Sequence, residues 1–246
     1  CDHDGPRYIS KNCNGAAGKG KLFKLLDSIA KENRRDPITA VFLQEHQLPK
    51  TSRVAHARLA HSKNLLFLPA YGKKIQDRYY GGTAIIIPHS AIELLKGENI
   101  DMARRRITAT KKAYSEGRTV TAQMQVDGKP TKLISAYAPQ HWTQNFKRSD
   151  YFIHLGHALS RTTVLGIDAN CVPDLRLDIQ RTSTAPYDNE GAQTLSRVLR
   201  DKGLVDVARE QLGDAPFFTS DHVVAGGQRC KTRIDRIYIP DDPLLS

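Results

Sequence analysis

Three absences bound this sequence. Its four cysteines, Cys1, Cys13, Cys171 and Cys230, are isolated and form no C-x-x-C pair. That excludes a zinc ribbon and a thioredoxin-like redox motif, and it fits a reducing compartment. No apolar run has the length of a membrane span or the form of a signal-type core, so no membrane partner is expected. There is no internal repeat and no Pro/Gly/Ser-rich linker, which leaves the 246 residues to one domain large enough to bury a core without staples. Acidic residues are also in short supply. Against 26 Asp+Glu stand 37 Lys+Arg, a formal charge of +11, and that imbalance favours a polyanionic partner such as nucleic acid. The chain opens at Cys1 without methionine and reads as a segment of something longer.

What is present is an alternation of helical and strand patterns. Leu22, Leu25, Leu26, Ile29 and Ala30 recur at helical spacing until "KENRRDP" ends the run before Pro37. "TAVFLQE" and "GGTAIIIP" read as short buried strands. Val120, Ala122, Met124 and Val126 alternate with polar residues up to "DGK", a hairpin turn leading into "PTKLISAYAP". Phe152, Leu155 and Leu159 predict a helix started by Ser149 or Asp150; Ala192, Leu195 and Leu199 predict another, closed by Gly203. "TTVLGIDAN" and "TRIDRIYIP" complete the strands of a mixed-sheet α/β domain.

Polar side chains sit at the ends of these strands: Asn12 and Asn14, Glu45, Tyr137, Asp168 and Asn170, and Asp235. Singly, each has a plain reading. Asn14-Gly15 makes a turn, Glu45 a solvated strand end, Tyr137 a core or rim aromatic, and Asp168 a cap.

Taken in order, "NCNG", "FLQEH", "AYAP", "GIDAN" and "TRIDRIYI" resemble the endonuclease/exonuclease/phosphatase superfamily, whose pattern is N-x-[ND]-G, L-Q-E, Y-x-P, G-D-x-N, a late R-[IL]-D and finally S-D-H. The last stretch, with "FFT" before it, is most similar to the apurinic-type endonuclease domain of non-LTR (LINE-type) retrotransposons. The resemblance implies a four-layer α/β/β/α sandwich of the DNase I-like class, Mg²⁺ (or Mn²⁺) as cofactor, and double-stranded DNA as partner. It implies an endonuclease that nicks one strand to leave a 3′-hydroxyl primer for reverse transcription, within a longer polyprotein that carries a reverse transcriptase and acts in the nucleus. Glu45 is then the metal carboxylate, with the amide of Asn14 supporting it, as suits an ion content with one or two carboxylates. Asp168 is the general base, oriented by Asn12, while Asn170 holds water or phosphate, Tyr137 donates to the phosphate, and Asp235 holds a histidine.

That histidine belongs to an S-D-H that follows the R-I-D strand in the family, and this chain is expected to lack its C-terminal strand and that motif. "TSDHVV" contains Ser220, Asp221 and His222 but precedes the R-I-D strand, so His222 is expected to be a surface loop residue. Two further functions stay open: a catalytically inactive DNA-binding remnant, and a phosphomonoesterase of the same fold. His46 is expected to pack away from Glu45 by strand alternation rather than ligate metal. "CDHD" at Cys1–Asp4 is expected to be a frayed end. "RRRITATKK" either tracks a DNA backbone through Arg104, Arg105, Arg106, Lys111 and Lys112, or is a solvated basic edge strand.

Overall fold

A computed structural model of the chain describes residues 5–18, 20–140, 147–182, 187–223 and 229–241. The Cys1–Asp4 stretch lies outside the described residues. The chain forms two compact units, Cys1–Tyr137 and Ala138–Ser246.

The first unit runs β1 (Tyr8–Asn12), α1 (Lys21–Arg35), β2 (Ala40–Gln44), α2 (Arg53–His61), β3 (Leu65–Ala70), β4 (Lys73–Ile75), β5 (Arg78–Tyr80), β6 (Thr83–Pro88), α3 (Ile100–Ala109), β7 (Lys112–Tyr114), β8 (Thr119–Val126) and β9 (Lys129–Tyr137). Strands β1, β2, β6 and β3 make one sheet in that order. β1 and β2 are parallel, so a crossover is needed between them, and α1 supplies it. The periodic residues Leu22, Leu26, Ile29 and Ala30 bury against Val41, Leu43, Phe67 and Ile86 on one face of this sheet. Each leucine or isoleucine so buried contributes about 1.5–3 kcal/mol. The other face packs against β8 and β9, where Gln44 Nε2 donates to Ser135 Oγ at 3.4 Å and Ser135 Oγ donates to the Leu43 carbonyl at 2.9 Å. β8 and β9 form the hairpin expected at "DGK": Asp127 and Gly128 carry it with φ of 50° and 70°, the left-handed pair that a two-residue turn requires.

The second unit runs α4 (Arg148–Ala158), β10 (Thr163–Asp168), β11 (Ile179–Arg181), α5 (Ala192–Asp201), β12 (Leu204–Asp206), α6 (Val207–Leu212), β13 (Ser220–Val223), β14 (Arg229–Thr232) and β15 (Asp235–Pro240). β12, β15 and β10 lie antiparallel in that order, and β11, β14 and β13 form another sheet. α4 packs on α5 closely at Gly156, where a Cβ would come within 2.8 Å of Val198 Cγ1. Ala192, Leu195 and Leu199 are buried as their spacing predicts, and Gly203 follows the helix at φ 62°.

The structure corrects three local expectations. α4 is not started by its own Ser149 or Asp150; the carboxylate of Glu190 accepts from the Arg148 and Ser149 amides at 2.8 and 3.2 Å instead. Arg104–Ala109 is not strand but the end of α3, with Ala103 and Ile107 buried and Asn99 Oδ1 capping Met102 N at 3.0 Å; only Lys112–Tyr114 is an edge strand. "TSDHVV" is not a loop at Ser220–Val223, which is strand β13, although His222 is exposed there as expected.

Candidate active site

Parallel pairing brings the ends of β1 and β2 together, since Asn12 stands opposite Gln44 in the register. Beyond those ends the two segments are laced by their backbones. The amides of Cys13, Gly15 and Ala16 donate to the carbonyls of Gln44, Glu45 and His46 at 2.9, 2.8 and 2.8 Å. Glu45 therefore leaves strand geometry at once and sits at φ 52°. Its carboxylate is held from both sides. Tyr137 Oη, arriving from the end of β9, donates to Oε1 at 2.6 Å, and Asn12 Nδ2 donates to Oε2 at 3.1 Å. Asn12 Oδ1 in turn accepts from the Asn14 amide at 2.8 Å, a local turn that sets Asn14 at φ 44° with its side chain exposed. Asn12, Asn14, Glu45 and Tyr137 are thus brought to one place in the first unit.

Tyr137 is buried, its amide donates to the Arg118 carbonyl at 2.8 Å, and the Arg118 guanidinium lies over its ring at 5.1 Å from the centroid. Arg118 is a site neighbour that the sequence reading missed. Its signal was slight: a lone cation at the start of a strand whose register sets Thr119 against Ala136, next to Tyr137. Burial pushes the Cys13 thiol up to about 12, with Lys11 lowering and Glu45 raising it, so it is protonated at neutral pH. His46 is fully buried, with its ring nitrogens on backbone groups; burial holds its pKa down to about 4. Strand alternation does not carry this placement, because β2 ends at Gln44 and Glu45 lies beyond it at φ 52°.

In the second unit, Asp168 and Asp235 are directly opposed on β10 and β15. Side chains so placed share a face of the sheet and are near neighbours. Asp168 is buried, and its Oδ1 accepts from the Asn170 amide at 3.1 Å, which sets Asn170 at φ 48°. Asn170 Nδ2 donates to the Ala138 carbonyl at 2.8 Å, while the Ala138 amide donates to the Asp168 carbonyl at 2.9 Å. The guanidinium of Arg148, itself buried and paired with Asp188 at 2.6 Å, donates to the Asn170 carbonyl. Thr219 Oγ1 receives the Ile234 and Asp235 amides at 3.2 and 3.1 Å, fixing the backbone where Asp235 enters β15. On the β13–β14 hairpin, Asp221 is engaged by Arg229 at 2.8 and 2.6 Å, and the exposed His222 ring accepts or donates only to Ser220 Oγ at 3.4 Å among its described contacts.

Flanking Asp235, Arg233 and Arg236 are buried and converge on two acids. Asp178 Oδ1 accepts from Arg233 Nε at 2.8 Å and Arg209 Nη2 at 2.6 Å, and its Oδ2 from Arg236 Nη2 at 2.7 Å. Asp206 accepts from Arg233 Nη1 and Nη2 at 2.9 and 2.7 Å and from Arg236 Nη1 at 2.7 Å. Sequence reasoning missed this network; two arginines on either side of Asp235 in "TRIDRIYIP" were the available sign.

The proposed basic track is uneven. Arg105 and Lys112 are exposed, whereas Arg104 is bound to Asp101 at 3.0 Å and Arg106 to Glu98 at 3.0 and 2.9 Å. Burial lowers the pKa of Lys111. Among the described residues no three His, Cys, Asp or Glu side chains gather as a metal cluster, and no helix is long and apolar enough to cross a membrane.

No protein-family model and no curated protein matches the sequence. Solved structures do. The endonuclease domain of TRAS1, a telomere-specific non-LTR retrotransposon, aligns with 97% of this chain and 87% of its own at 14% identity and a TM-score of 0.57. The apurinic (AP) endonuclease LMAP from Leishmania major aligns over 95% of this chain and 78% of its own at 16% identity, TM-score 0.68. The 3′ phosphatase NExo from Neisseria, bound to a product DNA hairpin, aligns over 96% and 86% at 17% identity, TM-score 0.62. The solved neighbours are consistently of one kind, and the mixed α/β, DNase I-like fold of the endonuclease/exonuclease/phosphatase proteins is the fold of this chain.

Proposed function

We propose that the chain is a metal-dependent endonuclease that hydrolyses phosphodiesters of double-stranded DNA, nicking one strand to leave a 3′-hydroxyl. The observation that carries this reading is the Glu45 carboxylate held on both oxygens by Tyr137 and Asn12, in a chain whose fold neighbours include a retrotransposon endonuclease and AP endonucleases. The net charge of +11 suits a polyanionic substrate.

The donor set fits Mg²⁺. One fixed carboxylate and the amide oxygen of the exposed Asn14 are hard ligands, and this ion completes its shell with water and substrate phosphate. When bound, Mg²⁺ offsets the negative charge that develops on the phosphoryl oxygens. The chain's own groups do the rest. Asp168, its Oδ1 already steadied by the Asn170 amide, takes the proton of the attacking water. The water oxygen bonds to phosphorus as the bond to the 3′ oxygen breaks; the phosphate stays on the 5′ end, and the leaving 3′ oxygen takes a proton from solvent to become the 3′-hydroxyl. Asn170, aligned by the Ala138 carbonyl, presents its remaining amide hydrogen and oxygen to water or phosphate. The single hydroxyl proton of Tyr137 is on Glu45, so its first duty in this reading is to orient the metal carboxylate, and donation to phosphate requires it to turn. In the retrotransposon setting that the TRAS1 likeness supports, the 3′-hydroxyl primes reverse transcription by a neighbouring domain in the nucleus.

The test is nicking of supercoiled plasmid with Mg²⁺, with and without Glu45→Ala. Glu45→Ala is expected to abolish nicking while circular dichroism stays unchanged; persistence of wild-type nicking in that variant removes Glu45 from the site. Release of inorganic phosphate from a 3′-phosphorylated end, without nicking, would instead support the phosphatase reading that the NExo likeness brings.

A further inference from the structure

We infer that His46 is a positioning residue whose neutral ring holds Glu45 in the geometry that the metal requires; the inference rests on the nuclease reading above. The ring's hydrogen-bond roles follow from its partners. A backbone amide only donates, so Nδ1, 3.0 Å from the Leu48 amide, is an acceptor and bears no proton. The proton is therefore on Nε2, which faces the carbonyls of Ala70 and Thr83 at 3.2 Å each. Both nitrogens are spent on backbone, one on the loop that follows Glu45 and the other on the junction of β3 and β6.

The backbone of His46 extends the same link. Its amide donates to Gly82 at 3.1 Å and its carbonyl accepts from Ala16 at 2.8 Å, while the Gln47 amide donates to Gly81 at 2.9 Å. Glu45 and Gln47, the residues on either side, both sit at φ 52°. Left-handed conformations at residues other than glycine are disfavoured and persist only where the surroundings over-determine them. Here the surroundings are the His46 contacts and the strands they reach. The fit is close: a Cβ on Gly82, itself at φ 89°, would lie 2.5 Å from His46 Cε1, and Tyr71 stands edge-on to the ring at 5.8 Å between centroids. An apolar side chain fills the same space but leaves the Leu48 amide and two strand-end carbonyls without the ring's polar atoms. Filling volume alone does not explain a fully buried imidazole whose polar atoms are all matched.

Two measurements test this on the chain as it is: Mn²⁺ affinity, from the free-ion electron paramagnetic resonance signal, and amide exchange of Gly15, Ala16, Gln47 and Leu48 without metal. His46→Phe keeps the ring volume and removes its polar atoms. It is expected to weaken Mn²⁺ binding about ten- to a hundredfold, the usual cost of removing a group that orients a ligand, and to speed exchange of those four amides. His46→Asn, whose Oδ1 takes the place of Nδ1, is expected to recover much of both. A folded His46→Phe with wild-type Mn²⁺ affinity and wild-type exchange overturns the inference. If His46→Phe does not fold, His46→Gln decides, because it keeps a donor for the carbonyls of Ala70 and Thr83 but leaves the Leu48 amide without its acceptor. Weakened Mn²⁺ binding supports the inference, and wild-type binding overturns it. A wild-type chain that binds no Mn²⁺ and nicks no DNA sinks the nuclease reading and this inference with it, whereas wild-type binding that survives His46→Phe sinks this inference alone.

Discussion

The hydroxyl of Tyr137 donates to Oε1 of Glu45 at 2.6 Å across 92 residues of sequence, joining the end of β9 to the end of β2. A hydrogen bond to a charged group contributes about 1.5–3 kcal/mol, and here it also fixes the direction of the carboxylate. Tyr137→Phe is expected to stay folded, with a modest loss in thermal melting temperature. Its plasmid nicking should fall about ten- to a hundredfold with a raised Mg²⁺ requirement, as when an orienting partner is lost. Nicking with an unchanged Mg²⁺ dependence would show that the contact is only structural.

The acids beneath the "TRIDRIYI" strand predict the acid stability of the chain. Burial alone raises the pKa of Asp178, but the charge of Arg236 and hydrogen bonds from Arg233, Arg209 and Arg236 outweigh it, so the net shift is downward. Asp206 is lowered for the same kind of reason, its burial being outweighed by Arg233 and Arg236. A carboxylate with a depressed folded-state pKa adds stability above its unfolded value, near 4, and that stability is lost as pH falls through the folded value. Urea unfolding midpoints should therefore be flat near neutrality and drop below about pH 4. Asp178→Asn, which leaves buried guanidinium groups short of their counter-charge, should cost about 3–5 kcal/mol at pH 7 and flatten the acid drop. An unchanged midpoint for Asp178→Asn would contradict this expectation.

Charge and exposure together pick Arg105 and Lys112 from the basic run. Removing a cation that touches one phosphate should reduce the slope of log affinity against log salt by about one. Arg105→Ala combined with Lys112→Ala is accordingly expected to lower the slope by about two in fluorescence-anisotropy titrations with duplex DNA. Arg106→Ala, whose guanidinium is already taken by Glu98, should leave the slope nearly unchanged. Equal slopes for the wild type and the double variant would remove this face from the DNA interface.

What the sequence determined by itself is what local chemistry decides. The "DGK" turn, the α1 stripe of Leu22, Leu26 and Ile29, and the stop at Gly203 are short-range matters of φ preference and periodicity, and the structure has them where the pattern puts them. The ordered motifs also pointed to the fold, because several lie at an end of a strand whose apolar run is legible alone, as in "TAVFLQE" and "TTVLGIDAN". Even α3 was partly written there: Asn99 followed by Ile100, Ala103 and Ile107 is a cap and a helical stripe, masked by three consecutive arginines that a helix leaves to its polar side. Tertiary structure decided the partners. The α4 amides are capped by Glu190, 42 residues from Arg148, and Asp178 meets Arg233 at a separation of 55. No propensity acts over such distances; only the strand register and the packing that supports it do. The same holds for His46. Its place in the core was readable, but its tautomer depends on Leu48, Ala70 and Thr83, which share no sequence signal and meet only after β3 and β6 have paired.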